Sequence, residues 1–264
     1  MSQTKANRIE LCGFVPIWIK ITLVSQTAEP CSVLRLGNMD FASAWQLQNR
    51  IAAELAQGKC SACLLLLEHP HTFTLGRMAN PRHLLWDAEN LASHDVSVHA
   101  IDRGGDITYH GPGQVVGYPI LRLSGPSRKA DYVGYVRQLE QMLVIALARL
   151  GVLAAQREGL TGVWVPASAW AKCTRCDPRY KPQPAKIASI GIKVDAQGIT
   201  RHGFALNVDT DTDYWEGIVP CGLEGVNIVN LADVLRDLPS RREIEETLIR
   251  SFAETFNFHI QADE

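Results

Sequence analysis

The chain reads as a single α/β (α+β) domain built on a mixed sheet. Short apolar runs of strand length recur between longer stretches of helical periodicity. The two kinds of segment are interspersed along the chain, not gathered into separate blocks. No internal repeat or low-complexity tract interrupts the 264 residues, of which 46% are hydrophobic and 20% charged, a composition and length that can bury a sizeable core.

Residues 1–32 read as an N-terminal extension. Within it Leu11 to Val24 is apolar but short and broken by Lys20, so it is expected to be a buried strand or part of the extension, since a spanning helix needs about 20 apolar residues. The compact domain, residues 33–264, opens on the alternating strand Ser32 to Leu36. Asp40 caps a helix from Phe41 to Gln57 that Gly58 closes. Leu64 to Leu67 is a strand buried on both faces. Val96 to Ile101 and Val115 to Leu123 are further strands, separated by a glycine-rich loop, Arg103 to Gly113, with a short Ile107-Thr108-Tyr109 segment inside it. Asp131 caps a helix ending at Gly151, its apolar positions running from Val133 to Leu150 at helical spacing. Val163 to Val165 is a strand. Lys186 to Val194 and Phe204 to Val208 form a hairpin around Asp195-Ala196-Gln197-Gly198, and the last helix spans Arg241 to Phe256. Ser168 to Pro184, with three prolines and the pair Cys173 and Cys176, breaks the pattern and reads as an inserted loop.

A formal net charge of -2 gives no global reason to expect nucleic acid or an anionic membrane. Seven cysteines are an odd number for a closed disulfide framework, and Met1 to Glu10 lacks the basic start and apolar core of a signal peptide. The expectation is a cytoplasmic protein with reduced thiols.

Four segments hold the candidate chemistry. In Arg103-Gly-Gly-Asp-Ile-Thr-Tyr-His-Gly-Pro-Gly-Gln114, four glycines and a proline allow close backbone approach to a ligand. The segment is neither a Walker loop nor a dinucleotide fingerprint, because it lacks both Gly-Lys-Ser/Thr and the Gly-x-Gly-x-x-Gly order. Lys186-Ile-Ala-Ser-Ile-Gly191 starts an apolar strand with a lysine, whose ordinary role is to cover a sheet edge while its ammonium stays in water. His202-Gly-Phe-Ala-Leu-Asn207 has small residues that suit a narrow pocket wall. Val219-Pro-Cys-Gly-Leu-Glu-Gly225 brackets Cys221 in a constrained turn, though a free cysteine is most often inert and buried.

Together these four segments, in this order, closely resemble the lipoyl(octanoyl) transferases over about Val33 to Phe256. Leu67-Glu-His-Pro70, Thr72-Phe-Thr-Leu-Gly-Arg77 and Thr161-Gly-Val-Trp164 agree more weakly. The resemblance implies a fold shared with biotin and lipoate protein ligases, with a larger mixed sheet, a smaller sheet and surrounding helices. It implies a catalytic Cys221–Lys186 dyad. Substrate contacts are implied for Arg103, Gly104, Gly105, Asp106, Ile107, Thr108, Tyr109 and His110, for Ser189, Ile190 and Gly191, and for Gly203, Phe204 and Ala205. The implied donor is octanoyl-acyl carrier protein. The implied acceptors are lysines on lipoyl domains of 2-oxoacid dehydrogenase complexes and on the glycine cleavage H protein, and the enzyme is expected to be a monomer without metal or cofactor. The extension and the insertion depart from the family pattern; neither removes a motif residue.

The chemistry explains why these residue types are needed. A free cysteine has a pKa of about 8.5, and a nearby ammonium favours the thiolate that attacks a thioester. A lysine in a partly apolar pocket can accept the thiol proton and later that of the incoming amine. Backbone amides around Cys221 or Gly191 are candidate donors to the oxyanion. Thioester exchange followed by amide formation runs without ATP. Lys193, further along the strand and outside any motif role, is expected to face solvent. An ATP-dependent lipoate protein ligase of the same fold is the main alternative, disfavoured by Cys221 and the His110-Gly-Pro-Gly-Gln114 continuation. A zinc module using Cys60, Cys63, Cys173 and Cys176 is the alternative from another class.

Overall fold

A computed structural model of the chain describes residues 28–123, 131–170, 173, 176 and 183–261. Leu11 to Val24 and most of the predicted insertion lie outside the described residues. In chain order the elements are β1 (Glu29–Asn38), α1 (Phe41–Ala56), β2 (Ala62–Glu68), β3 (Thr72–Leu75), α2 (Ala88–Ser93), β4 (Ser97–Ala100), β5 (Ile107–His110), β6 (Gln114–Ile120), α3 (Tyr132–Arg149), β7 (Ala155–Arg157), β8 (Leu160–Val165), α4 (Ala167–Trp170), β9 (Ala185–Val194), β10 (Thr200–Asn207), β11 (Asn227–Ile228), α5 (Leu231–Val234), α6 (Arg241–Phe256) and β12 (Phe258–Gln261).

The large sheet runs β12-β1-β2-β6-β10-β9-β8-β7, with β11 added beside β9. Its β12, β1 and β2 are parallel and the remaining neighbours on this path are antiparallel, so the sheet is mixed as expected. Strand β2 shows why Leu64 to Leu67 had to be apolar on both sides. Leu64 and Leu66 enter the core formed with α3 and α6, whereas Leu65 and Leu67 enter the core under α1. Each is fully buried, a contribution of roughly 1.5–3 kcal/mol apiece before entropy is counted. The predicted helix caps form: Asp40 Oδ1 accepts from Ser43 N at 2.9 Å and Asp131 Oδ1 from Gly134 N at 2.8 Å. Val133 departs from its predicted inward position and is 72% exposed.

The small sheet, β4-β3-β5, changes the reading of the glycine-rich segment. Ile107 to His110 is not a brief interruption of a loop but a fully buried strand, antiparallel to β3. Alternation along β5 sends Ile107 and Tyr109 into a core with Phe73, Trp215, Ile218 and Ile228, leaving Thr108 and His110 on the other face. Strand β1 starts at Glu29, ahead of the predicted Ser32, and Cys31 is already fully buried. No helix among the described residues is long and apolar enough to cross a membrane.

Candidate active site

Where the two sheets meet, a cavity of about 340 Å³ opens. All the predicted site residues line it except Ile107 and Tyr109, whose side chains lie in the small-sheet core. Four segments that are distant in sequence therefore converge on one space.

The pairing of β9 with β10 builds its floor. Ser189 stands opposite Ala205 and Gly191 opposite Gly203, so one face of the hairpin carries small residues. Gly203 serves the sheet more than the cavity wall: an added Cβ would meet Gly117 O at 2.2 Å and Pro119 Cδ at 2.6 Å on β6. Ala205 lines the cavity as well and is 3% exposed. The side chain of Arg103 lies across Gly191, where a Cβ would come within 2.8 Å of Arg103 Cδ.

Lys186 does not snorkel to solvent. It is 3% exposed, held between the Trp164 ring, with Nζ 5.5 Å from the ring centroid, and the bare backbone of Gly162. At Gly162, φ is +113° and a Cβ would meet Lys186 Cε at 2.5 Å and Ala188 O at 2.6 Å, so only glycine fits. The Gly162 amide donates to Oε1 of the fully buried Glu140 at 2.9 Å, which pins this turn to α3.

Lys186 Nζ lies 3.2 Å from Cys221 Sγ, and Ser189 Oγ lies 4.0 Å from the same sulfur. Cys221 is half-buried in the short 3₁₀ turn Pro220–Gly222, with φ 55° and ψ 20°. A non-glycine residue in this left-handed region carries strain that the surroundings must hold. Gly222 sits directly on Asp106, where a Cβ would meet Oδ2 at 2.7 Å. That oxygen is 2.6 Å from His83 Nδ1, and Val219 N donates to His83 O at 2.8 Å. His83 thus supports the turn that carries Cys221, a role with no signal in a lone histidine after Pro81. Burial pushes the Cys221 thiol up, but the Lys186 ammonium, the Arg103 guanidinium and the Ser189 hydroxyl outweigh it and hold the thiol below its ordinary value.

Arg103 is 7% exposed. Its Nη2 donates to Thr74 O at 2.7 Å and to Thr74 Oγ1 at 2.9 Å, and Nη1 to Gly104 O at 2.9 Å. Its Nε is buried without a partner. The amides of Gly222 and Leu223 are already bonded to Val219 O and Pro220 O, so of the predicted amides around Cys221 these two are committed, and Arg103 Nε joins the candidate oxyanion donors.

Beyond the floor, towards α1, lies a group of buried histidines. Burial lowers His69 to about 4 and His110 to about 3, keeping both neutral. His69 bonds with Met39 O and the Tyr118 hydroxyl, and His110 with Gln114 Oε1. His202 is also buried and held down by burial, although Asp102 Oδ1 lies 2.9 Å from its Nε2. Asp102 pairs in addition with Lys193. Lys193, expected to face solvent, is half-buried and held in an ion pair by this carboxylate.

The four-cysteine zinc arrangement does not form. Cys63 is buried in the core under α1, and Cys60 Sγ lies 3.8 Å from Ile51 O. Cys173 and Cys176 are joined to each other as a disulfide, contrary to the expected reduced pair; their Cα atoms, 5.5 Å apart, are within bonding reach. The one grouping of possible metal ligands among the described residues is Cys173, Cys176 and Asp233.

Residues 40–253 match the family described as Lipoyl protein ligase A/B catalytic domain. An octanoyltransferase of Chloroflexus aggregans is 41% identical over 226 residues, 86% of this chain and 95% of the relative. One from Salinispora arenicola is 43% identical over 209 residues, 79% of this chain and 88% of the relative. Among solved structures, the bipartite lipoate protein ligase of Thermoplasma acidophilum superposes with a TM-score of 0.65 at 18% identity, covering 89% of this chain and 87% of that one. Lipoate-protein ligase A bound with ATP gives 0.62 at 17% identity, covering 89% and 88%. At such identities the likeness is one of fold.

Proposed function

Because this chain belongs to the lipoyl protein ligase A/B catalytic-domain family, we propose that it is an octanoyltransferase of protein lipoylation that works through an acyl-cysteine at Cys221. The single observation that carries the mechanism is the 3.2 Å approach of the Lys186 ammonium to the Cys221 sulfur. An adenylating ligase needs no such nucleophile.

In the first step Cys221 Sγ attacks the carbonyl carbon of the octanoyl thioester on acyl carrier protein. The proton lost by the Cys221 thiol is already held on Lys186 Nζ as its ammonium, Arg103 Nε and the backbone amides near Cys221 or Gly191 are the candidate donors to the tetrahedral oxyanion, and the carrier's thiol leaves with the proton from Lys186. In the second step the amine of a lipoyl-domain lysine attacks the new thioester. Lys186 takes the amine proton and returns it to the departing Cys221 sulfur, and an amide remains. A thioester is exchanged for a thioester and then for an amide, so no ATP enters. The acceptors are lipoyl domains of 2-oxoacid dehydrogenase complexes and the glycine cleavage H protein, and the reaction takes place in the cytoplasm.

The octanoyl chain lies over the small-residue floor of Ser189, Gly191 and Ala205, towards Phe41 and Tyr118. Each buried methylene contributes about 0.8 kcal/mol, so the depth of this cavity selects chain length. The test is single-turnover transfer from octanoyl-acyl carrier protein to a lipoyl domain with ATP absent. Transfer is expected. No transfer there, together with transfer of free octanoate when ATP is supplied, would establish the ligase reaction instead.

A further inference from the structure

Arg77 ends the Thr72–Arg77 motif, yet the reaction above gives it no task. Its amide donates to Arg103 O at 2.9 Å, which fixes its backbone beside the residue that spans the cavity floor. It is exposed, and its side chain has no hydrogen-bond or ion-pair partner among the described residues.

Arg77 lines a groove of about 480 Å³ together with Arg137 and Lys193. The groove adjoins the cavity that holds Cys221: Gly104, Val136, Thr161 and Ile192 line both. Tyr132 and Val133, 51% and 72% exposed, supply an apolar side. Val133 is the residue at the start of α3 that helical periodicity placed on the apolar face.

The charges in the groove are unequal in availability. Lys193 is paired with Asp102, which also faces the groove. Arg137 gives Nη1 to buried Glu140 at 2.6 Å and stays 40% exposed, so its fork has further N–H donors to offer. Arg77 is uncommitted among the described residues. Two guanidinium groups therefore stand along a groove with an apolar side, next to the cavity that holds Cys221. This fits a ligand that carries an anion at one end, a partly apolar stem, and the reacting group at the other end. An acceptor lysine has the opposite charge near its reacting nitrogen and would meet repulsion here.

We propose that this groove seats the phosphopantetheine arm of the acyl donor, with Arg77 and Arg137 binding its phosphodiester. Guanidinium matches phosphate oxygens in a two-pronged geometry that an ammonium cannot reproduce. The inference rests on the thioester-donor reading of the catalytic cavity.

Two small donors separate the cases: octanoyl-pantetheine, which lacks the phosphate, and octanoyl-4′-phosphopantetheine, which carries it. Loading of the full chain is followed by intact mass. The wild type should load from the phosphorylated donor with a KM about tenfold lower, an advantage that shrinks as salt rises. Arg77→Ala should lose most of that advantage and Arg77→Ala/Arg137→Ala all of it, both loading from octanoyl-pantetheine at the wild-type rate. Arg77→Lys should recover only part. An unchanged preference in the double variant would overturn the proposal. So would an equal loss with both donors, or a defect confined to transfer from preloaded enzyme to a lipoyl domain, which would make the groove the acceptor's. If wild type loads from neither donor, the catalytic reading itself fails and takes the groove's role with it.

Discussion

Two cysteines of this chain, Cys31 and Cys221, show what burial does to a thiol and what reverses it. Cys31 lies on β1, fully buried against α6 and β12, and burial followed by the nearby Cys63 pushes its thiol up to about 12. Cys221 also suffers desolvation, yet its thiol falls below the ordinary value because Lys186, Arg103 and Ser189 surround it. Desolvation alone gives an inert sulfur. Desolvation with a fixed ammonium at 3.2 Å favours the thiolate.

Removing the ammonium should erase the difference. Lys186→Ala is expected to lower acyl transfer by about 10²–10⁴-fold, the usual worth of a positioned acid–base group. The pH profile of Cys221 alkylation should move upward in this variant, towards that of an ordinary buried thiol. Lys186→Arg should also fail, since a guanidinium does not give up its proton. An arginine variant with near-normal turnover would show that positive charge alone suffices.

Gly162→Ala tests whether the ammonium must be held where it is. The new methyl would collide with Lys186 Cε and with Ala188 O, and the backbone there is at φ +113°. Backbone strain of this kind costs about 1–3 kcal/mol. We expect at least a tenfold loss of turnover and a lowered Tm, with Cys221 still present but harder to alkylate at neutral pH. Normal alkylation with normal turnover would mean that Lys186 has a second competent position.

The histidines under α1 extend the comparison to bases. His69 and His110 are held neutral in the fold at about 4 and about 3, against about 6.5 in the unfolded chain. The unfolded state therefore binds more protons as pH falls below about 6.5, and stability is lost progressively from there down to about 3. Chemical denaturation at pH 7 and pH 5 should show the lower midpoint at pH 5, and His69→Gln should reduce the pH dependence. A flat profile would contradict the neutral assignment. The smallest effect is expected at Cys31→Ala, which should cost about 1 kcal/mol of stability through lost packing and leave transfer unchanged.

Much of this was legible in the sequence because local signals and motif order agree. Asp40 and Asp131 announced their helices, Leu64 to Leu67 their two-sided burial, and the four motifs the residues that meet at the cavity. What escaped depended on partners distant in the chain. Nothing before folding says that Asp102 will turn to take both Lys193 and His202, so Lys193 looked like a bystander. Nothing in Pro81-Arg-His83 says that the histidine will reach Asp106 beneath the turn that carries Cys221. The Ile107-to-His110 strand was hidden by its glycine neighbours, whose composition signals a loop while β3 supplies the edge that makes it a strand.

The account stands on the sulfur of Cys221, and one measurement addresses it directly. The full chain is incubated with octanoyl-acyl carrier protein, its intact mass recorded, and the adduct located by peptide mapping among all seven cysteines. The expected result is one octanoyl group, removable by hydroxylamine, on Cys221, absent from Cys221→Ala and transferable to a lipoyl-domain lysine without further donor. An adduct on any other cysteine, or normal turnover in Cys221→Ala, would contradict it.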